Sequence, residues 1–208
     1  MGDTVTVRVF SQADYHDVKS LNLIIKSALE LVDNEIEDLK NKGSNALIVI
    51  KPNWVQESHE LLPDVWEPVI THPFIIVSLV EELALRVAEA EIVICDAPHT
   101  YASFESIIAR GELECRLNKI VDRHPGLRIK LLDLRREVWE RKDGVVVARH
   151  PGQEDPRGYI RVDLADNSLF YGHSGEGRYY GADYDSRVVN SHHFGNLHEY
   201  LLAATPMR

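Results

Sequence analysis

The chain has 208 residues, enough for one domain or one and a half with a real hydrophobic core. Its 23 Lys and Arg residues against 33 Asp and Glu residues give a net charge of −10, and 44% of its residues are hydrophobic. This composition excludes wholesale disorder, and no apolar run approaches the roughly 20 residues of a membrane helix. No charged and then apolar leader opens the chain, so we expect no membrane span and a cytoplasmic location.

Two further classes are excluded by cysteine content and by charge pattern. Cys95 and Cys115 are too few for a disulfide scaffold, a four-thiolate metal site or an iron–sulphur cluster. A nucleic-acid binder needs a concentrated basic surface, whereas the basic cluster at residues 135–142 is interleaved with Glu137 and Glu140. We therefore expect no nucleic-acid partner.

Hydrophobic periodicity predicts alternating strands and helices over the first two thirds of the chain. Their order indicates an α/β fold with a mostly parallel three-layer sheet and helices on both faces. The predicted strands are Thr4–Val9, Ala46–Ile50, Glu91–Cys95 and Ile129–Leu134, and the predicted helices cover residues 21–39, 76–87 and 113–121.

The pattern changes after residue 136. Asp143-Gly144 separates two alternating segments, which is a strong signal for a β-hairpin. Tyr159–Leu164 alternates as a strand, residues 165–195 have the composition of long polar loops, and His198–Ala204 is expected to form a short closing helix. We therefore predict a parallel α/β core at 1–136 and, on the same domain, a hairpin and loop extension at 137–208.

Polar residues follow two neighbouring predicted strands, at the place where parallel sheets bind ligands. Lys51-Pro52-Asn53 follows one strand, and Asp96-Ala97-Pro98-His99 follows the next. Thr71-His72-Pro73 opens the helix between them, whose N-terminus offers free N–H groups and a favourable dipole to an anion. Lys51, Asn53 and Thr71 are therefore the predicted anion-binding residues. The alternative is that Pro52 and Asn53 only form a turn, and no glycine-rich phosphate loop accompanies them.

A second polar cluster lies near the end of the chain. Three histidines within seven residues could ligate a divalent metal or shuttle protons, although their spacing matches no standard zinc signature. The alternative is that they cap loops and pack against nearby tyrosines. The predicted acid–base residues are His72, His99, His192 and His193, and the predicted metal ligands are Asp96, Asp183, Asp185 and His198.

Several short motifs occur in order along the chain: Ile48–Trp54, Ile70–Pro73, Cys95–His99, Asp155–Tyr159, Tyr180–Asp185, and His192-His193 with His198–Leu201. Together they resemble domain-of-unknown-function family 362, and the late motifs resemble a subgroup often found among genes for cell-surface polysaccharide biosynthesis. The resemblance implies an α/β protein distantly similar to the nickel-dependent lactate racemase group, with no common reaction. It also implies that this chain corresponds to the N-terminal portion of the family pattern, which usually continues further.

These observations favour an enzyme domain, with or without a divalent metal, that acts on an anionic small molecule or a sugar-linked substrate. The family resemblance would place it in cell-surface polysaccharide biosynthesis. Two alternatives stay open at this point. One is a non-catalytic module that binds an anion, and the other is a subunit that folds only with a partner or as a homo-oligomer.

Overall fold

The computed structural model describes residues 15–163, 167 and 199–205. The chain divides into two compact units, Met1–Leu132 and Asp133–Arg208. In chain order, the helices are α1 (Val18–Leu29), α2 (Asp33–Lys42), α3 (Pro73–Arg86), α4 (Phe104–Ala109) and α5 (Leu113–Arg123). The strands are β1 (Leu47–Ile50), β2 (Glu91–Asp96), β3 (Arg128–Asp133), β4 (Glu137–Lys142), β5 (Val145–Pro151), β6 (Tyr159–Asp163) and β7 (Glu199–Ala203).

A three-stranded parallel sheet forms the centre of the first unit, in the order β1-β2-β3. Ile48 pairs with Ile92 and Ile50 with Ile94, so β1 and β2 end together at the same edge. Parallel neighbours require crossover connections, and helices supply them here. The structure thus confirms a mixed α/β fold with a parallel sheet.

Helix α3 lies at the centre of the packing, next to both α1 and α5. Its apolar residues Ile76, Val80 and Leu83 recur at helical spacing and are buried. They join Ile92 and Ile94 of the sheet in one core cluster. Pro73 at the first helical position costs no hydrogen bond, because the N–H of that position would have no partner within the helix. Among the described residues, no helix is long and apolar enough to cross a membrane.

The helical segments of the first unit differ from the prediction at two places. The helix expected at 21–39 is broken into α1 and α2, because Val32 has non-helical backbone angles (φ −125°, ψ 29°). The short helix α4 was not predicted, and the predicted strand Thr4–Val9 lies outside the described residues.

The second unit begins with the predicted hairpin, in which β4 and β5 pair antiparallel. Asp143 (φ 52°) and Gly144 (φ 80°) both have positive φ, as a two-residue type I′ turn requires. Ahead of the hairpin, the buried side chains of Asp133 and Arg135 form an ion pair, with Arg135 Nη2 2.6 Å from Asp133 Oδ2.

Residues 199–203 form a strand, so the closing helix predicted at 198–204 is wrong. β7 pairs antiparallel with β6, from Tyr159 opposite Ala203 to Asp163 opposite Glu199. A helix of only five to seven residues would be marginally stable by itself. As a strand, the same segment finds hydrogen-bond partners for its backbone along β6. The predicted loops at 165–195 lie outside the described residues, apart from residue 167.

Candidate functional site

The best-defined polar site lies at the carboxyl ends of β1 and β2. Lys51 directly follows β1, and its Nζ lies 3.0 Å from Oδ1 of Asp96, the last residue of β2. The Asp96 side chain is 9% exposed, whereas that of Lys51 is 60% exposed. A buried carboxylate therefore positions an ammonium group that still faces solvent.

Asp96 also holds the backbone around it. Its Oδ2 accepts a hydrogen bond of 2.7 Å from the Trp54 N–H, and its Oδ1 accepts one of 2.9 Å from the Ala97 N–H. Both carboxylate oxygens are thus engaged with donors of the protein. The predicted role of Asp96 as a metal ligand stays a prediction, and ligation would compete with these contacts.

Asn53 and Thr71 are joined by two hydrogen bonds. The Asn53 N–H donates to Thr71 Oγ1, and the Thr71 N–H donates to the Asn53 carbonyl, each at 2.8 Å. Trp54 and Ile70 form the adjoining antiparallel bridge. The loop after β1 is therefore tied to the segment that opens α3. The Asn53 residue is exposed, and Thr71 is half-buried.

His72 caps α3 instead of leaving its first turn open. Its Nδ1 accepts the Phe74 N–H at 3.2 Å, and its carbonyl accepts the Ile75 N–H at 3.0 Å. Because Pro73 has no N–H, the expectation of free donors at this helix start is wrong. His72 is buried, and burial lowers the pKa of its imidazole below the ordinary value of 6.5, against the opposing charge of Glu67.

His99 belongs to a hydrogen-bonded chain of three side chains. Gln56 Nε2 donates to the Ser58 carbonyl, which turns Gln56 Oε1 toward the Tyr101 hydroxyl, 3.4 Å away. If that hydroxyl donates to Gln56, its oxygen accepts from His99 Nδ1, 2.9 Å away. Which of His99 Nδ1 and the Tyr101 hydroxyl donates in this contact depends on the tautomer of His99. This arrangement orients an imidazole in the way that a general base requires.

His99 lies at the same edge of the sheet as Lys51. The backbone N–H of His99 donates to the Val55 carbonyl at 2.9 Å, and this bond joins the loop after β2 to the loop after β1. The structure thus brings together five predicted residues at the strand ends: Lys51, Asn53, Thr71, Asp96 and His99. His72 follows Thr71, but its ring packs against Trp66 and Phe74.

Sequence reasoning missed Gln56, Tyr101, His16 and Glu67. One ligand atom each of His16, Glu67 and His72 lies within 4.8 Å of the other two. His16 precedes α1 and is far from the other two in sequence, so no spacing rule could have connected them. The remaining predicted site residues, Asp183, Asp185, His192, His193 and His198, lie outside the described residues.

Comparisons with family models, curated proteins and solved structures find no match for this chain.

Proposed function

We propose that this chain is an enzyme domain that binds an anionic small molecule at the carboxyl ends of β1 and β2. The observation that carries the proposal is the exposed Lys51 ammonium, positioned at 3.0 Å by the buried Asp96 carboxylate. A cation whose position is fixed before binding loses less side-chain entropy when a ligand arrives.

Lys51 has the donors that this role needs. An ammonium group has three N–H donors, and the protein accepts from Lys51 through Asp96 Oδ1 and the Pro52 carbonyl, the latter at 3.2 Å. A third donor is thus available for a carboxylate or a phosphate oxygen. The exposed amide of Asn53 supplies a polar group for orientation at the same edge. Hydroxy acids and sugar phosphates carry both an anion and hydroxyl groups, and we propose them as the substrate class.

His99 distinguishes an enzyme from a simple binding site. The hydrogen-bonded chain through Tyr101 and Gln56 orients the His99 ring, as a general base requires. A base next to a bound hydroxy acid or sugar would remove a proton from a hydroxyl or from an adjacent carbon. A divalent metal could assist, and the inference below concerns one place for it.

Two of the motifs on which the family resemblance rests lie at the strand ends. Lys51-Pro52-Asn53 and Asp96-Ala97-Pro98-His99, the segments that resemble family 362, contribute residues to this edge. We extend the proposal to a sugar-linked substrate of cell-surface polysaccharide biosynthesis on that resemblance. We also propose the three-layer arrangement, because Val93 and Cys95 of β2 are buried although they stand outside the main core cluster.

Titration calorimetry with inorganic phosphate, lactate and glucose phosphate tests the anion site. We expect Lys51→Ala to weaken binding of at least one of these ligands by about tenfold or more, since a hydrogen bond to a charged group is worth roughly 1.5–3 kcal/mol. Lys130→Ala is the matched control: Lys130 is 57% exposed and pairs with Glu91 at 2.8 Å, at the opposite end of β2. Equal losses in both variants, or no binding of any probe by the wild type, would contradict the proposal.

A binding module without turnover is the second candidate. Both carboxylate oxygens of Asp96 and the Nδ1 atom of His72 already accept hydrogen bonds from backbone N–H groups. These atoms have structural roles, which favours a module that binds its ligand without acid–base chemistry. Monitoring each bound probe by NMR over time separates the two functions. An enzyme converts or exchanges protons of its ligand, and His99→Gln should then slow this reaction with little change in affinity.

A further inference from the structure

His16, Glu67 and His72 meet beside the start of α3 and form a cluster with the composition of a metal site. One ligand atom from each lies within 4.8 Å of the other two, and His72 Nε2 is 3.7 Å from Glu67 Oε1. We propose that these three side chains bind a divalent transition metal, and that zinc is the ion they suit best. The proposal does not depend on anion binding by Lys51.

The ligand types and distances favour zinc. Two imidazoles and one carboxylate are the protein ligands of many catalytic zinc sites, which leave the fourth position to water or substrate. With zinc–nitrogen bonds of roughly 2.1 Å, ligand atoms of a tetrahedral site stand about 3.4 Å apart. The 3.7 Å separation of His72 and Glu67 is close to this value. His16 and Glu67 are exposed and can close the remaining gap. Mg²⁺ prefers oxygen ligands and suits this set poorly.

Aromatic packing holds His16 near the other two residues. The ring of Tyr15 stacks on His72 with centroids 4.4 Å apart and an interplanar angle of 11°. The ring of His16 meets His72 and Phe74 edge-on, at 6.0 Å and 5.5 Å. The segment before α1 is thus attached to the first turn of α3. The buried His72 provides the fixed ligand of the site.

Metal binding would change the hydrogen bonding of His72. Because Nδ1 accepts the Phe74 N–H, the neutral ring carries its hydrogen on Nε2, which faces Glu67. A metal on Nε2 displaces that hydrogen, which moves to Nδ1 or leaves, and the move to Nδ1 breaks the cap bond to Phe74. A helix cap contributes little free energy compared with zinc binding at a three-ligand site. Loss of the cap bond in return for a zinc–nitrogen bond is therefore favourable.

Two arginines near these rings oppose a bound cation and give Glu67 a specific role. Arg110 lies over Trp66, and Arg116 lies over Phe74 with its guanidinium carbon 4.6 Å from the ring centroid. Both guanidinium groups also donate to backbone carbonyls, Arg110 to Glu57 and Arg116 to Gly111. The Glu67 carboxylate is the negative charge that compensates at the site itself. Removal of the Glu67 charge should therefore weaken metal binding, even where the substituted side chain keeps the size of glutamate.

Zinc titration of the full, untagged chain by calorimetry tests the site. We expect the wild type to bind Zn²⁺ but not Mg²⁺, with the affinity of one site reduced about tenfold or more in His16→Ala and in Glu67→Gln. Both substitutions are at exposed positions and spare the cap of α3. Zn²⁺ should also raise the melting temperature of the wild type and not that of His16→Ala. His150→Ala is the matched control. His150 Nε2 lies 3.6 Å from Glu140 Oε2, and among the described residues no third metal-ligating side chain joins this pair.

Two results would overturn the proposal. One is a wild-type chain that binds no zinc. The other is zinc binding that His16→Ala and Glu67→Gln leave unchanged. In that case, loss of zinc binding in the double variant His192→Ala/His193→Ala would place the metal in the histidine-rich segment.

Discussion

Replacement of Asp96 by alanine should lower the free energy of unfolding by up to about 3 kcal/mol, because the buried Trp54 N–H left without an acceptor costs roughly 1–3 kcal/mol. The variant deprives the N–H groups of Trp54 and Ala97 of their acceptor at the edge of the sheet. The contact with Lys51 adds little to this sum, since an ion pair with one exposed partner is weak. Denaturant unfolding followed by circular dichroism measures the loss.

The same variant should also abolish anion binding. Without Asp96, Lys51 loses the contact that positions its ammonium group, and the loop after β1 loses its bond through Trp54. Asp122→Ala on the exposed side of α5 is the control and should change stability by about 0.5 kcal/mol at most. If Asp96→Ala unfolded at the same denaturant concentration as the wild type, the Asp96 carboxylate would not hold the loop after β1 in place.

Replacement of Asp155 by alanine should have a similar effect on the second unit, roughly 3 kcal/mol. Asp155 is 4% exposed, and its carboxylate accepts from the Thr205 N–H at 2.6 Å and the Thr205 hydroxyl at 2.7 Å. It also accepts the Arg157 N–H at 2.8 Å, within the turn before β6. The side chain therefore connects the segment before β6 to the one after β7. Hydrogen exchange should show faster opening of β6 and β7, with a smaller effect in Thr205→Val, which loses only the hydroxyl.

The contribution of Asp155 should also depend on pH. Burial raises its pKa, but the hydrogen bonds from Thr205 and Arg157 together outweigh burial and hold the pKa below the ordinary value of 3.8. A lowered pKa in the folded state means stability that is complete above the unfolded-state value and is lost as the pH falls through the folded-state value. The advantage of the wild type over Asp155→Asn should therefore be constant near neutral pH and decline progressively as the pH falls below about 4. An advantage that grew with acid would contradict the assignment.

Local sequence signals predicted the elements whose conformation is decided locally. Asp143-Gly144 specifies its turn through two positive φ values, and the hairpin formed as expected. The segment 198–204 carries no such signal, and its conformation depends on pairing with β6, which lies far away in sequence. Likewise, the spacing of apolar residues over 21–39 does not reveal the break at Val32.

The site was predictable only as far as the topology of a parallel sheet determines it. Strand ends at one edge bring Lys51 and Asp96 together, and their contact follows from the pairing of β1 with β2. The use of His72 as a helix cap depends on its side-chain rotamer, which no spacing rule gives. The approach of His16 to Glu67 depends on aromatic packing between distant segments, and the sequence contains no signal for it.

Amide chemical shifts would locate the bound anion on the protein residue by residue. We would titrate isotope-labelled protein with the tightest of the three anionic probes and record its amide spectrum. We expect shifts concentrated at residues 51–56, 71–72 and 96–101, and their loss in Lys51→Ala but not in Lys130→Ala. Shifts concentrated elsewhere, for example along the groove lined by Asp33, Glu37 and Arg86, would contradict it.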